Sequence, residues 1–306
     1  MENRYLQTNP SRAAAIGFAD IIVAMQIVNI AAYKFVEIPN PSDWRAILKE
    51  RAMQLDLLGS FIIAPEGVNF FMAGGRSSVD AFLDFLRNDE IFAQRFSKID
   101  VKESISDNQP FRRMVVRLKK EIITMKHPMI CPGETRAPSV DAKTLKRWLD
   151  QGHDDAGRKV VLLDTRNNFE VAIGTFKGSL NLQIDQFSDF PNAVLGTAGN
   201  IGENLHDKTI VSFCTGGIRC EKAALFLRES EFDNVFQLEG GILRYFEEVG
   251  GAHWQGECFV FDRRVALDPQ LQTTTHHYET TAPPDRNSMY LKWKEQQQNE
   301  SLARAE

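Results

Sequence analysis

Hydrophobic and polar positions follow two different patterns along the chain, and the change falls near residue 126. Between Gln26 and Met125, short β-type runs alternate with helical faces. The segment Ile27 to Val36 is rich in β-formers and predicts a strand. Asn40 and Pro41 then predict a helix start. The predicted helix has four apolar side chains on one face: Trp44, Ile47, Leu48 and Leu55.

Two short strands, a second helix and a final strand complete this first pattern. Phe61 to Ala64 and Val68 to Met72 predict strands joined by a turn. Ser77 predicts the cap of a helix whose apolar side carries Val79, Phe82, Leu83 and Leu86. A last strand is predicted from Met114 to Ile123. The order strand–helix–strand–strand–helix–strand predicts a ferredoxin-like α+β domain over residues 26–125.

Residues 126–138 contain three prolines and a glycine and predict a linker. We expect Ser139 to cap a helix that carries Leu145, Trp148 and Leu149. Val160 to Leu163 and Ile210 to Phe213 are continuous apolar runs, typical of parallel strands buried on both faces. Helical segments separate them, among them 223–228 and 242–249. Residues 139–252 therefore predict a doubly wound parallel α/β domain.

The N-terminal segment, residues 1–25, is an extension before the first strand. It is either an extra helix or an over-long gene start, because Met25 directly precedes that strand. Polar residues interrupt the apolar stretch of residues 13–32 at three positions: Asp20, Gln26 and Asn29. Neither a membrane span nor a secretory signal is therefore expected.

The C-terminal part follows the second domain as two segments. Residues 253–269 form a post-domain segment. Residues 270–306 are polar and predict a tail that is disordered or partly helical, because such a sequence buries too little apolar surface to order itself.

Composition agrees with two globular domains in a chain of 306 residues, 43% apolar and 25% charged. The net charge is −5, so nucleic-acid contact requires a local basic patch. The cysteines are too few and too scattered for a disulfide scaffold: Cys131, Cys214, Cys220 and Cys258. They fit a reducing cytoplasm, where a retained cysteine is often reactive or metal-bound.

One cysteine lies in a loop whose composition predicts chemistry. A predicted strand ends at Phe213, and a helix is predicted from about Cys220. The six residues of the loop are Cys214, Thr215, Gly216, Gly217, Ile218 and Arg219. Two glycines allow backbone N–H groups to form an anion-binding nest, and the helix dipole points to the same place. These features predict a thiolate nucleophile, with Arg219 as a fixed positive charge, rather than a buried structural cysteine before an ordinary turn.

Cys220, just after the loop, has two interpretations. It can resolve an oxidised Cys214 into a disulfide. The plainer interpretation is a small residue in the first turn of the helix.

The loop and its neighbours resemble the rhodanese family. The resemblance rests on the loop itself and on Asp164-Thr165-Arg166, Glu170, Gly174 to Ser179, and Glu239-Gly240-Gly241. Rhodaneses carry sulfur on the loop cysteine as a persulfide. Four residues separate Cys214 from Arg219, whereas phosphatases of similar shape use five, because phosphate needs a wider cradle. A phosphatase is therefore disfavoured.

A longer set of motifs resembles the TrhO family of bacterial tRNA uridine hydroxylases. The motifs are Cys214 to Ala223, Glu66-Gly67-Val68-Asn69, Asn234 to Ile242, and Phe259 to Asp262. The resemblance covers about Met25 to Leu267. It implies oxygen-dependent conversion of the wobble uridine to 5-hydroxyuridine, with O₂ as co-substrate, the anticodon region of tRNA as partner and the loop cysteine required.

Several relatives end in a cysteine-rich tail that resembles a metal site. Here no cysteine follows Cys258, and His276-His277 is too little for one. We expect no metal, and the sequence identifies no cofactor motif. The electron donor, the tRNA species and the oligomeric state do not follow from the sequence.

A basic segment offers a surface for RNA. Between Phe111 and Lys126 there is a single acid, Glu121, and six basic residues: Arg112, Arg113, Arg117, Lys119, Lys120 and Lys126. Period two places Met114, Val116, Leu118 and Ile122 on one face of the predicted strand and Arg113, Arg117 and Lys119 on the other. Without the resemblance, a solvated sheet face explains the pattern equally well. The resemblance to the TrhO family favours contact with tRNA and not with DNA. Tyr33 and Phe71 can stack on a base, but we assign both to core packing.

Two other functions compete with hydroxylation. The first is a sulfurtransferase that passes persulfide sulfur to a protein or small acceptor. The second is a non-catalytic module that binds sulfide or another anion in the same loop.

Overall fold

The computed structural model describes residues 26–201 and 205–274. The expectations for residues 1–25 and for residues 275–306 of the predicted tail lie outside this part of the chain. The first residues of that tail, 270–274, are ordered instead: Thr273 bridges to Leu267, and Thr274 Oγ1 donates to Glu257 at 2.8 Å. No helix within the described part is long and apolar enough to cross a membrane.

The first domain is an α+β sandwich with one five-stranded sheet, which confirms the predicted fold class. Its elements, in chain order, are β1 (Ile27–Phe35), α1 (Pro41–Gln54), β2 (Leu58–Ala64), β3 (Gly67–Gly74), α2 (Arg76–Asn88), a 3₁₀ turn (Glu90–Phe92), β4 (Val101–Ser106) and β5 (Met114–Leu118). The strand order is β4-β1-β3-β2-β5. All neighbours pair antiparallel except β2 and β5, which are parallel.

The strand that closes the ferredoxin-like unit is β4, which the sequence patterns did not predict. Its residues Lys102, Ser104 and Ser106 lie on the same face as Asn29 and Ala31 of β1. The second domain covers this polar face, and on the opposite face Glu103, paired with Arg76, interrupts the apolar Val101 and Ile105, so the short strand lacks a clear apolar period. The predicted last strand is instead a fifth strand at the sheet edge, and it ends at Leu118 rather than Ile123.

Helix ends differ from the prediction in detail. Gly75, not Ser77, precedes α2, and no side chain caps that helix. Asn40 precedes α1 as expected, but its side chain makes no capping hydrogen bond. Ile47 is 39% exposed, so Leu48 and Ala52 form the buried face of α1. The predicted apolar side of α2 is buried throughout and packs with Phe61 and Phe70 of the sheet.

The second domain is a doubly wound parallel sheet, also as predicted. Its elements are β6 (Ser139–Val140), α3 (Ala142–Gln151), β7 (Val160–Asp164), α4 (Asn168–Val171), β8 (Gly174–Phe176), β9 (Leu180–Asn181), a 3₁₀ turn (Phe187–Asp189), α5 (Phe190–Ile201), β10 (Thr209–Phe213), α6 (Ile218–Glu229), β11 (Val235–Leu238) and α7 (Gly241–Val249). The order is β6-β11-β10-β7-β9, with every pair parallel. Hydrophobic cores lie on both sides of this sheet.

Two helix starts in this domain were predicted wrongly. Ser139 belongs to strand β6, and Asp141 caps α3 by accepting the Thr144 N–H at 2.8 Å. Helix α6 begins at Ile218, two residues before the predicted start at Cys220. Gly217 adopts a φ of 100° and allows the chain to turn into the helix early.

The segment after α7 packs against the first domain. It contains β12 (Trp254–Gly256), which pairs with β8, and a hairpin of β13 (Cys258–Phe259) and β14 (Ala266–Leu267). The Arg264 guanidinium donates to Ser104 Oγ at 2.7 Å. The rings of Phe261 and Phe71 lie 6.0 Å apart, so Phe71 belongs to the domain interface.

Lys222 of α6 is the centre of a second interface contact. Only 1% of the residue is exposed. Its ammonium lies 2.8 Å from carboxylate oxygens of both Glu66 and Glu121 and donates to the Ile123 carbonyl at 3.1 Å. A buried ammonium needs such partners, so this triad fixes the helix after the cysteine loop against the first domain.

Candidate active site

Cys214 lies at the carboxyl end of the central strand β10, where ligands bind in open α/β sheets. Its side chain is fully buried. The sulfur accepts a hydrogen bond from the Gly217 N–H at 3.1 Å, which is the start of the predicted backbone nest. The loop therefore directs a backbone N–H at the Cys214 sulfur, which is the arrangement expected from its glycines.

The pKa values of Cys214 and Cys220 diverge. Burial opposes ionisation of Cys214, but the Cys220 thiol, the Arg219 guanidinium and the backbone N–H groups of both residues outweigh it and lower the pKa of Cys214. Burial and the neighbouring Cys214 sulfur raise the pKa of Cys220. The Cys220 thiol also lies 3.0 Å from the Gly217 carbonyl, to which it donates. Cys214 is therefore the thiolate, and Cys220 is a neutral donor beside it.

Arg219 and Glu170 form a buried ion pair behind the loop. Two guanidinium nitrogens bind the two carboxylate oxygens at 2.5 and 2.7 Å. Burial disfavours the charged form of Glu170, but Arg219 outweighs it and holds the pKa of that carboxyl below its usual range. The predicted positive charge is thus present, and it is already neutralised by a partner that lies 49 residues away in sequence.

Asp164 and Arg166 form a second buried pair beneath the site, with both residues fully buried. Arg166 Nη2 donates to Asp164 Oδ2 at 2.6 Å and to the Gly174 carbonyl, also at 2.6 Å. Thr175 Oγ1 donates to Asp164 Oδ2 at 2.7 Å. The pair ties the end of β7 to β8, so these two residues support the site rather than face it.

Glycines behind the loop allow a close backbone approach. Gly241 has a φ of 68°, and a Cβ built there would lie 2.5 Å from the Cys214 carbonyl oxygen. The N–H groups of Ile242 and Leu243 donate to the carbonyls of Cys214 and Thr215 at 2.9 and 3.1 Å. The start of α7 therefore holds the cysteine loop through its backbone, and it leaves no room for a side chain at Gly241.

Tyr33 reaches the loop from the first domain, and sequence reasoning missed this role. Its hydroxyl donates to Glu221 Oε2 at 2.8 Å. A Cβ built on Gly217 would lie 3.0 Å from the same hydroxyl. Tyr33 lies on the same face of β1 as Asn29 and Ala31, but only the tertiary structure shows that the second domain covers this face.

The predicted RNA-contact residues lie elsewhere. Arg113, Arg117 and Lys119 are all exposed, along or beside the edge strand β5. Leu118 is 40% exposed, because the strand ends there and the predicted apolar face stops with it. The structure does not bring these cations to Cys214. The chain continues from them to Glu121, which binds Lys222 of α6.

Within the described part of the chain, no group of three or more His, Cys, Asp or Glu side chains could hold a metal ion. The pair His276-His277 lies outside these residues. The chemistry available at the site is that of a buried thiolate with a neutral thiol beside it.

Comparison with known proteins places both domains. Residues 27–122 match the model of the UPF0176 acylphosphatase like domain, and residues 141–248 match the rhodanese-like domain. The rhodanese-like domain of an Anabaena sp. protein, solved in solution, matches 49% of this chain and 95% of its own at 17% identity. Its TM-score is 0.32.

Curated relatives share both domains at high identity. A protein of Burkholderia ambifaria (strain MC40-6), named tRNA uridine(34) hydroxylase, is 59% identical over 250 residues, 82% of this chain and 87% of the relative. A protein of the same name from Burkholderia mallei (strain NCTC 10229) is 58% identical over 250 residues, 82% of each chain.

The fold and the cysteine loop define a rhodanese-domain protein that carries an acylphosphatase-like domain in front. Because identity is this high over most of the chain, the protein belongs to the tRNA uridine(34) hydroxylase family. The resemblance inferred from the motifs is confirmed.

Proposed function

We propose that this protein is a cytoplasmic enzyme that converts the wobble uridine, in the anticodon region of tRNA, to 5-hydroxyuridine. O₂ is the co-substrate and Cys214 is required. The observation that carries the proposal is the Cys214 thiolate, held by the loop directly beneath the domain that distinguishes this family from plain rhodaneses. The relatives' name supplies the substrate and the reaction class.

The balance of the reaction sets what else is needed. One oxygen atom of O₂ enters the C5–H bond of uracil, and the other leaves as water after taking up two electrons and two protons. The two electrons come from a thiol-class reductant in solution or from the thiols of Cys214 and Cys220. The structure supports the second source to this extent: both sulfurs contact the backbone of Gly217.

Isotope labelling tests the reaction directly. Purified protein, unmodified tRNA and a thiol reductant are incubated under ¹⁸O₂, and the nucleosides are analysed by mass spectrometry. We expect 5-hydroxyuridine that carries ¹⁸O. Product that carries oxygen from water, or no product with an active reductant present, would contradict the proposal.

A persulfide sulfurtransferase is the second candidate. The sulfur-sized loop favours it, because the Gly217 N–H that binds the Cys214 sulfur can also bind the terminal sulfur of a persulfide. Sulfur transfer from thiosulfate to cyanide by the purified protein, lost in Cys214→Ser, measures this activity. If both activities are absent while the loop still binds sulfide, the protein is the anion-binding module.

A further inference from the structure

The sulfur of Cys214 has no exposed surface, although a nucleobase must reach it if the proposed function holds. Something that now covers the loop must therefore move. Gly216 is the one residue of the six-residue loop that is only half-buried, and the other five are buried. The covering groups are what the substrate displaces.

The phenol of Tyr33 is one of these covering groups. Its hydroxyl lies against Gly217, whose N–H binds the Cys214 sulfur at 3.1 Å. Gly217 therefore contacts both the phenol and the sulfur. Tyr33 comes from the other domain: its hydroxyl is bound to Glu221, and its ring packs against Phe35 and a small cluster that includes Ile218 of the loop, outside the main core of its own sheet.

The polar groups around the Tyr33 ring match one kind of base. Glu221 is 5% exposed; one of its oxygens accepts from Tyr33 at 2.8 Å, and the other is bound by Arg136 at 3.0 Å. The Lys102 ammonium lies 5.2 Å from the centre of the same ring. Uracil is a planar ring whose N3–H donor is flanked by two carbonyl acceptors. The Glu221 carboxylate can accept from N3–H, and the Arg136 guanidinium bound to its other oxygen can donate to a neighbouring carbonyl; Lys102 lies over the ring and is paired with Asp100 at 2.8 Å.

We propose that the place now filled by the Tyr33 ring is the binding site of the target uracil base, with Glu221 as the residue that reads its N3–H. This inference rests on the proposed function. In the closed state the phenol O–H makes the hydrogen bond that N3–H makes with substrate bound. Cytosine presents a lone pair at N3, which faces the carboxylate without a proton between them. Glu221 thus selects uridine, and Tyr33 is the plug that substrate displaces.

Alkylation of Cys214 by iodoacetamide measures the plug without any catalysis. The full-length protein is used, labelling is followed by peptide mass spectrometry, and the exposed Cys131 is the internal standard. Tyr33→Phe removes the hydrogen bond to a carboxylate, so we expect labelling of Cys214 to be about tenfold faster. Tyr33→Ala removes the ring as well and gives a larger increase.

Two matched controls separate a plug from general loosening. Arg244→Ala breaks another contact between the domains, the 2.6 Å ion pair with Asp100; an exposed pair of this kind changes labelling by about twofold at most. Tyr245→Phe removes a different tyrosine hydroxyl, bound to the Ala252 carbonyl. If Arg244→Ala accelerates labelling as much as Tyr33→Ala, whole-domain opening controls access. If the Tyr33 variants label like wild type, Tyr33 is no plug; either result overturns the proposal.

Base selection is tested with an RNA stem-loop that carries uridine or cytidine at the wobble position. Protection of Cys214 from labelling gives the affinity for each RNA in the Tyr33→Phe protein. We expect the uridine RNA to bind about tenfold more tightly or better, and the preference to vanish when Glu221→Gln is added. A preference that survives Glu221→Gln removes Glu221 from base reading. Because neither readout needs hydroxylation, a protein that selects uridine but makes no 5-hydroxyuridine keeps this site and loses the proposed reaction.

Discussion

Arg219 directs its guanidinium at Glu170, with both nitrogen–oxygen contacts between 2.5 and 2.7 Å. The cation that lowers the pKa of Cys214 is therefore itself balanced by a buried carboxylate. The bidentate carboxylate offsets the desolvation cost of a buried guanidinium that also acts on the thiolate.

Glu170→Gln separates the effect of this ion pair on stability from its effect on the pKa of Cys214. It removes the bidentate carboxylate and leaves the Cys214 thiolate as the main countercharge of buried Arg219, so we expect a loss of up to about 3–5 kcal/mol in unfolding free energy, measured with urea. The pKa of Cys214 falls further, because a negative charge near the sulfur is removed. The pH dependence of thiolate ultraviolet absorbance then shifts to lower pH.

Replacement of both partners is the matched control. Glu170→Gln with Arg219→Met removes both charges, so it recovers much of the stability, while the pKa of Cys214 rises because the cation is gone. If the absorbance profile shifts in the same direction in the single and the double variant, the Arg219–Glu170 pair does not determine the pKa of Cys214.

Gly241→Ala tests the backbone contact behind the loop. The new Cβ lies 2.5 Å from the Cys214 carbonyl oxygen, at a φ of 68°, and a left-handed conformation alone costs about 1–2 kcal/mol. We expect lower stability and a higher pKa of Cys214, since the loop must shift. Gly216→Ala is the control, because no atom lies within 4 Å of its Cβ. If Gly241→Ala and Gly216→Ala change the pKa of Cys214 equally, the close backbone contact at Gly241 does not position the cysteine loop.

The exposed basic edge is expected to bind tRNA phosphate. Arg117→Ala with Lys119→Ala weakens tRNA binding and makes log K less dependent on log salt concentration. The slope falls by about 0.7–0.9 for each phosphate that these side chains neutralise. Lys143→Ala, an exposed lysine on α3 of the other domain, leaves both quantities unchanged. An unchanged salt slope in the double variant would assign the basic stripe to solubility alone.

Oxidation distinguishes the two interpretations of Cys220. A thiolate beside a neutral thiol forms a disulfide readily once it is oxidised to a sulfenic acid. We expect mild peroxide to give a Cys214–Cys220 disulfide by peptide mass spectrometry, and Cys220→Ser to accumulate the sulfenic or sulfinic acid instead. A sulfenic acid that persists in the wild-type protein would leave Cys220 as a packing residue and hydrogen-bond donor.

The local parts of the site were predictable from sequence, and the long-range parts were not. Cys214, the glycines and helix α6 form one strand–loop–helix unit, so short-range patterns suffice. The partner of Arg219 and the cover provided by Tyr33 depend on which elements meet in space. Strand β4 was missed for a related reason, because Glu103, which pairs with Arg76 of another element, interrupts its apolar face.

The central claim, that Cys214 serves hydroxylation of the wobble uridine, is tested most directly in a strain that lacks this gene and any parallel route to the product. Mass spectrometry of its tRNA nucleosides should show no 5-hydroxyuridine, restored by the wild-type gene and not by Cys214→Ser. Unchanged 5-hydroxyuridine without the gene would contradict the function, and restoration by Cys214→Ser would contradict the role of the cysteine.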